Sequence, residues 1–273
     1  MDYFYKTEKS FYVEPTSRCN YNCRMCFEKP EACDITFEKF KIIVKKTDLD
    51  FVKLWGRGEP FLNKEIYLIL EYCYKKKIKI FITSNFSLVD FKQKALNYID
   101  VICVSLHASN SEIYKRVTGS ERFDEVVENI KRFKVICSNI YCKSVITSLN
   151  ETDVESFKLL CKTLDVKCIV TGFDLPDNYR IQDLVELYPV TEEANRKFNR
   201  YLPYSLISRN KFKKCSQPAW PMILADGSVY TCCKRPSSGF IGNIFEDNFR
   251  IDNSVIEVAK SRGLVECQNC TIQ

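Results

Sequence analysis

The chain has 273 residues, 45% apolar and 28% charged, a profile that excludes a disordered chain and fits a folded domain with a substantial core. The formal net charge is +6, with Lys and Arg interleaved among Asp and Glu, so no phosphate-binding stripe forms and nucleic acid is an unexpected partner. No uncharged stretch approaches the ~20 apolar residues of a membrane helix. The start Met1-Asp2-Tyr3-Phe4-Tyr5-Lys6 also lacks the basic-then-apolar pattern of a signal peptide, so a cytoplasmic location is expected.

In chain order, strand-type runs rich in Val, Ile and aromatics fall at Ser10–Glu14, Asp50–Trp55, Ile78–Ser84, Val101–Leu106, Ile140–Thr147 and Val166–Thr171. Stretches with helical spacing separate them at Thr36–Lys46, Lys64–Lys76, Asp90–Tyr98, Arg122–Phe133 and Asp153–Lys162, the last with Asp153 as a possible cap. Strand and helix alternating in this way predict an α/β fold with a parallel sheet and right-handed crossovers. Six such units suit an open barrel better than a closed one of eight. After about residue 205 the alternation stops. Met222–Ala225, Asp226-Gly227 and Ser228–Tyr230 then read as a hairpin with a two-residue turn.

Two counts are abnormal: 15 cysteines and a single histidine. In a chain without secretion signals, that many cysteines point to thiolate chemistry or metal ligation rather than a disulfide framework. One histidine excludes multi-His sites, so a four-ligand metal site must be mostly sulfur, which favours zinc or iron–sulfur. Cys19, Cys23 and Cys26 form a C-x3-C-x2-C array directly after the first strand. Three thiolates in one loop can hold three corners of a cubane cluster and leave the fourth iron open. The ends of the following strands carry small polar residues: Gly56-Arg57-Gly58-Glu59-Pro60, Thr83-Ser84-Asn85, Ser105-Leu106-His107 and Thr147-Ser148-Leu149-Asn150. In barrel-type folds the carboxyl ends of parallel strands are where active sites are built.

These residues resemble the radical S-adenosylmethionine (SAM) enzymes over roughly residues 8–175. Cys19, Cys23 and Cys26 match that family's three-cysteine motif, and Gly58-Glu59-Pro60 with Gly56 upstream matches the end of its Gly-Gly-Glu-Pro motif, Arg57 replacing one expected glycine. The resemblance implies a partial (β/α)6 TIM-like barrel with a 4Fe–4S cluster on the three thiolates and SAM chelated to the free iron. It also implies that the Gly58–Glu59 region holds the SAM amino group, that Ser84, Asn85 and Ser105 face its carboxylate or ribose, and that Arg116 is a candidate partner of the carboxylate. An external electron donor such as flavodoxin or ferredoxin is then expected. A single electron splits the sulfonium and yields a 5′-deoxyadenosyl radical.

The C-terminal cysteines resemble the twitch domain, a shortened relative of the SPASM domain. That likeness implies residues 1–205 as the radical SAM core and 206–273 as a small cysteine-rich domain. It implies an auxiliary 4Fe–4S cluster on Cys215, Cys232, Cys267 and Cys270, with Cys233 able to replace its neighbour Cys232. A second auxiliary cluster is not expected, because the sequence ends three residues beyond Cys270. Eight cysteines remain, most of them suited to core positions. Cys142 and Cys168, on the fifth and sixth strands, are candidates to point into the barrel and donate hydrogen. His107 at the mouth is a candidate general base, contact to SAM or turn residue.

The expected function is hydrogen abstraction from a small polar substrate. The leading reading is oxidation of a sugar- or cyclitol-like carbinol with the auxiliary cluster as electron acceptor. A radical epimerase is the alternative. A maturase of ribosomally made peptides would need a separate leader-binding partner, since Cys19 lies close to the start of the sequence. Outside these, a zinc-stapled nucleic-acid binder fits the cysteines but not the dispersed charge.

Overall fold

A computed structural model describes residues 9–26, 30–172, 186–187, 189–191, 194, 221–231, 233 and 239–251. Cys215, Cys232, Cys267 and Cys270, and the expected domain boundary at 205–206, lie outside the described residues. The strands are β1 (Ser10–Val13), β2 (Phe51–Leu54), β3 (Lys79–Ser84), β4 (Val101–Ser105), β5 (Ile140–Ile146) and β6 (Lys167–Gly172), all paired in parallel with their neighbours in sequence. They are followed by β7 (Met222–Ile223), β8 (Ser228–Tyr230) and β9 (Phe240–Asn243). The sheet runs β6-β5-β4-β3-β2-β1-β7-β8-β9 and is open, with edges at β6 and β9.

The helices form where the apolar spacing and the caps agree. In α1 (Phe37–Thr47), Thr36 caps the Lys39 amide at 3.2 Å, Phe40 and Ile43 face the sheet, and Asp48 ends the helix in the left-handed region. In α2 (Ile66–Lys75), Ile66, Ile69, Leu70 and Cys73 are buried at helical spacing. The α3 helix (Ser111–Thr118) was not expected, because Ser-Glu-Ile-Tyr-Lys-Arg-Val-Thr is mostly polar. Its signals were nonetheless local: Asn110 caps the Ile113 amide at 3.0 Å, and Gly119 (φ 73°) closes the helix. In α4 (Phe123–Lys134) the stripe Phe123, Val126, Ile130, Phe133 is buried. In α5 (Val154–Thr163), Phe157 and Cys161 are buried.

Three local expectations need correction. The helix expected over Asp90–Tyr98 is a short 3-10 turn, Lys94–Tyr98, which returns at once to β4 and buries only Ala95 and Leu96. Asp153 occupies the N-cap position of α5, but its side chain makes no cap hydrogen bond; the carboxylate accepts from the Ser109 amide and hydroxyl instead. The hairpin turn has three residues, not two. The Gly227 amide donates to the Leu224 carbonyl and the Leu224 amide to that of Ser228. Of Asp226 and Gly227 only the glycine has positive φ, whereas a two-residue type I′ turn needs it at both positions. The hairpin also continues the main sheet: β7 lies parallel to β1, with Tyr12 opposite Met222 and Val13 opposite Ile223.

Side chains alternate across the strands and build two cores. The larger lies between sheet and helices and contains Val13, Leu54, Ile82, Val104, Phe133 and Cys142. The smaller covers the inner, concave face, with Phe51, Phe81, Val101 and Cys103 buried and Tyr12, Tyr141 and Ile169 packed against them.

Candidate functional site

The cysteine loop leaves β1 and is pinned on every side. At its stem the Ser17 amide donates to the Cys33 carbonyl at 2.9 Å, and the Arg18 Nε donates to Asp34 at 3.0 Å. At its tip the Tyr21 and Tyr114 hydroxyls lie 2.9 Å apart with their rings edge to face, and the Arg24 amide donates to the Val117 carbonyl at 2.9 Å. The unforeseen α3 is therefore a buttress of the loop. A cavity of about 480 Å³ opens beside it, lined by Ser17, Arg18, Cys19, Asn20, Pro30, Ala32 and Leu62.

Glu59 ties the loop to two further strand ends. Its buried carboxylate accepts from the Ser84 hydroxyl at 2.7 Å, the Asn85 amide at 2.7 Å and the Phe61 amide at 3.1 Å. Its own amide donates to the Arg18 carbonyl at 2.8 Å. Burial pushes its pKa up to about 7, against the three donors that hold it down. The Asn85 side chain then reaches into the cysteine loop, donating to Asn20 Oδ1 at 2.8 Å, while Asn20 donates to the Ser87 hydroxyl at 3.0 Å. Glu59, Ser84 and Asn85, singled out in the sequence, thus form one network with Asn20, which was not.

The glycines serve the packing of backbone on backbone. A Cβ on Gly58 would lie 2.3 Å from the Thr16 carbonyl and 2.4 Å from that of Arg18, so only glycine lets this turn sit against the loop's stem. A Cβ on Gly56 would meet the Glu14 side chain at 2.5 Å. Arg57, in place of the expected glycine, pairs with Glu14: Nη2 lies 2.7 Å from Oε1, Nε 2.9 Å from Oε2, and the Arg57 amide also donates to Oε2 at 2.7 Å. The sequence hint to this pair was a carboxylate closing the apolar run of β1.

Cys19 and Cys26 are exposed and Cys23 is half-buried. Burial and the neighbouring thiols raise the pKa of Cys19 and push that of Cys23 up to about 12, with the Glu59 carboxylate adding to the rise at Cys19. The three therefore feel one another's charge, yet among the described residues no three His, Cys, Asp or Glu side chains close around a single ion.

The remaining candidates lie outside this network. Arg116 is exposed and donates to the Leu149 carbonyl at 2.7 and 3.1 Å. Ser105 is half-buried at the end of β4. His107 is buried in the left-handed region (φ 61°), and its Nδ1 accepts from the Val145 amide at 3.2 Å. Burial, reinforced by Lys143, lowers its pKa to about 3, so the ring is neutral and out of range for a general base near pH 7. Cys142 and Cys168 are register partners on the α5 side of the sheet, where both influence the Cys161 thiol. They do not point into the barrel, because the even-numbered positions of β5 and β6 belong to the helix-covered face. Among the described residues, Cys103 is a thiol that does face the interior.

An open parallel sheet with a three-thiol loop braced at its carboxyl edge defines an iron–sulfur enzyme of the partial-barrel type. The radical SAM superfamily model matches residues 13–164, more than half of the chain, and the chain belongs to that superfamily. Membership implies SAM and a 4Fe–4S cluster as cofactors. Among curated relatives, a probable GTP 3′,8-cyclase of Saccharolobus islandicus is 33% identical over 140 residues, covering 48% of this chain and 45% of the relative. One of Thermococcus kodakarensis is 28% identical over 163 residues, covering 56% and 53%. The chain thus spans about half the length of the curated relatives it matches. Among solved structures, anSMEcpe with bound AdoMet and Cp18Cys peptide superposes with a TM-score of 0.69 at 19% identity, covering 96% of this chain and 88% of the other. Streptococcus suis SuiB bound to precursor peptide SuiA gives 0.67 at 16% identity, covering 97% and 70%. At these identities the structures show the fold alone. No helix among the described residues is long and apolar enough to cross a membrane.

Proposed function

We propose that this chain is an enzyme that removes a hydrogen atom from a small polar substrate held on the concave face of the sheet, with Cys19, Cys23 and Cys26 as the ligands of the SAM-binding 4Fe–4S cluster. The observation that carries this is the Glu59–Ser84–Asn85–Asn20 network, which fixes two strand ends against the cysteine loop. With SAM bound, the cluster supplies an electron for reductive cleavage to a 5′-deoxyadenosyl radical. The chain's own residues hold and orient. Gly58 and Glu59 shape the wall beside the thiols, Ser84, Asn85 and Ser105 line the rim for the cofactor's polar groups, and the loop's anchors keep it from moving. Glu59 acts here by positioning, since its carboxylate is engaged by three internal donors.

Oxidation of a sugar- or cyclitol-like carbinol remains the finer reading, with the four C-terminal cysteines Cys215, Cys232, Cys267 and Cys270 as ligands of an electron-accepting cluster. The name of the curated relatives favours a second reading, a nucleotide substrate. A cytoplasmic location and a flavodoxin- or ferredoxin-type reductant complete the proposal.

Cys19→Ala, Cys23→Ala and Cys26→Ala are each expected to abolish 5′-deoxyadenosine formation while thermal unfolding stays cooperative. Parent-rate SAM cleavage by any one of them would remove the three thiols from the cofactor site.

A further inference from the structure

The turn that follows β2 is laced to β1 and to the stem of the cysteine loop through alternate amides. Trp55 donates to the Val13 carbonyl at 3.1 Å, Arg57 to Glu14 Oε2 at 2.7 Å and Glu59 to the Arg18 carbonyl at 2.8 Å. The middle rung differs from the other two, because its acceptor is a side chain. β1 ends at Val13, and the Pro15 carbonyl is taken by the Ile35 amide at 2.9 Å and by the Asn63 side chain at 2.7 Å. The Glu14 carboxylate therefore supplies the acceptor that the departing main chain does not.

Glu14 is fixed from three directions. Its fully buried side chain accepts the Arg57 Nε at 2.9 Å and Nη2 at 2.7 Å, and Oε1 also accepts the Ala225 amide of the hairpin turn at 3.3 Å. Gly56 rests directly on it, since a Cβ there would lie 2.5 Å from Glu14 Cγ and Oε2. A buried ion pair is weak evidence for stability, because apolar residues of similar volume often serve as well. What a two-pronged guanidinium–carboxylate pair adds is geometry: it sets the plane and the separation of both partners. Here the partners bracket a stretch of backbone that Gly56 and Gly58 leave without side chains of its own.

We propose that Glu14 and Arg57 are positioning residues for SAM: the buried pair holds the Gly56–Glu59 turn in the conformation that receives the cofactor's amino group, with the hairpin at Ala225 as a third support. This deepens the functional reading above and rests on it. Both residues act through the backbone and not by contact, and the gain is a turn already in its bound shape. The arginine is then no neutral replacement for the motif's glycine. With Glu14 packed against Gly56, a glycine at position 57 would remove the guanidinium from a buried carboxylate and loosen the turn.

The test is calorimetric titration of SAM into the iron-loaded holoenzyme, with thermal unfolding and iron content measured on every variant. Arg57→Gly and Glu14→Gln are each expected to raise the SAM dissociation constant about tenfold or more in protein that is folded and carries the parent's iron. Arg57→Lys keeps the charge and loses the fork, and should still raise it about threefold or more. The double variant Glu14→Gln/Arg57→Gly is expected to bind no more weakly than the weaker single variant, because the two residues act as one unit. Variants that unfold earlier yet bind SAM like the parent would reduce the pair to a structural role and overturn the proposal. Full rescue by Arg57→Lys overturns it too, as do losses that simply add in the double variant. If Arg57→Gly and Glu14→Gln do not fold, Arg57→Lys decides alone. A parent that takes up iron but binds no SAM would sink the functional reading, and this proposal with it.

Discussion

The two faces of the same sheet obey different rules. The helix-covered face is an apolar jigsaw: Val13, Leu54, Ile82, Val104 and Cys142 meet residues of the helices with no charge among them. The concave face carries an aromatic floor on which Lys53, Lys143, Cys103 and the Glu14–Arg57 pair are set. A fold maintained by burial alone would not place ions on its inner face, because each costs several kcal/mol to desolvate. Stability is concentrated on one face and chemistry on the other. Cysteine shows the difference well: Cys142 and Cys161 belong to the core between sheet and helices, while Cys103 sits on the aromatic floor with Phe51 and Phe81.

The comparison is tested most strongly at the Glu14–Arg57 pair. Glu14→Gln leaves the Arg57 guanidinium, itself largely buried, without its carboxylate, and unfolding is expected to come about 3 kcal/mol earlier in a denaturant titration. A loss below about 0.5 kcal/mol would show that this pair contributes little to stability and that the contrast between faces is overstated.

A smaller effect belongs to His107. Its folded pKa of about 3 lies below the ordinary value of 6.5, so the unfolded chain binds the proton more readily between these values. Stability contributed by the neutral ring is present above about pH 6.5 and is lost as the pH falls toward 3. With one histidine in the chain, a single imidazole resonance reports this, and it should not titrate between about pH 7 and pH 5. A midpoint near 6.5 would return His107 to the list of general bases.

The smallest effect is expected from Cys168→Ser, an exposed thiol on the edge strand, whose thermal unfolding should match the parent within about 0.5 kcal/mol. A loss above about 1 kcal/mol would show that the thiol packs against the helix side more tightly than its exposure indicates.

The sequence by itself determined the alternation of strands and helices, the parallel order, the open barrel, and Glu59, Ser84 and Asn85 as polar strand-end residues. These are legible because they rest on local periodicity and on residue types whose chemistry does not depend on neighbours. The α3 buttress was legible only through its caps, Asn110 and Gly119, since its polar surface hides the period. The tertiary structure alone decided the direction and partners of each side chain. Glu59 turned to Ser84 and Asn85, Arg116 to the Leu149 carbonyl, and Asp153 to Ser109, each because a buried or half-buried polar group takes the donor or acceptor that folding brings within reach. The face of a strand is likewise a matter of register, and one residue reverses it. Cys142 and Cys168 therefore lie on the α5 side while Cys103, with nothing in its local sequence to mark it, packs with Phe51, Phe81 and Val101 on the interior face.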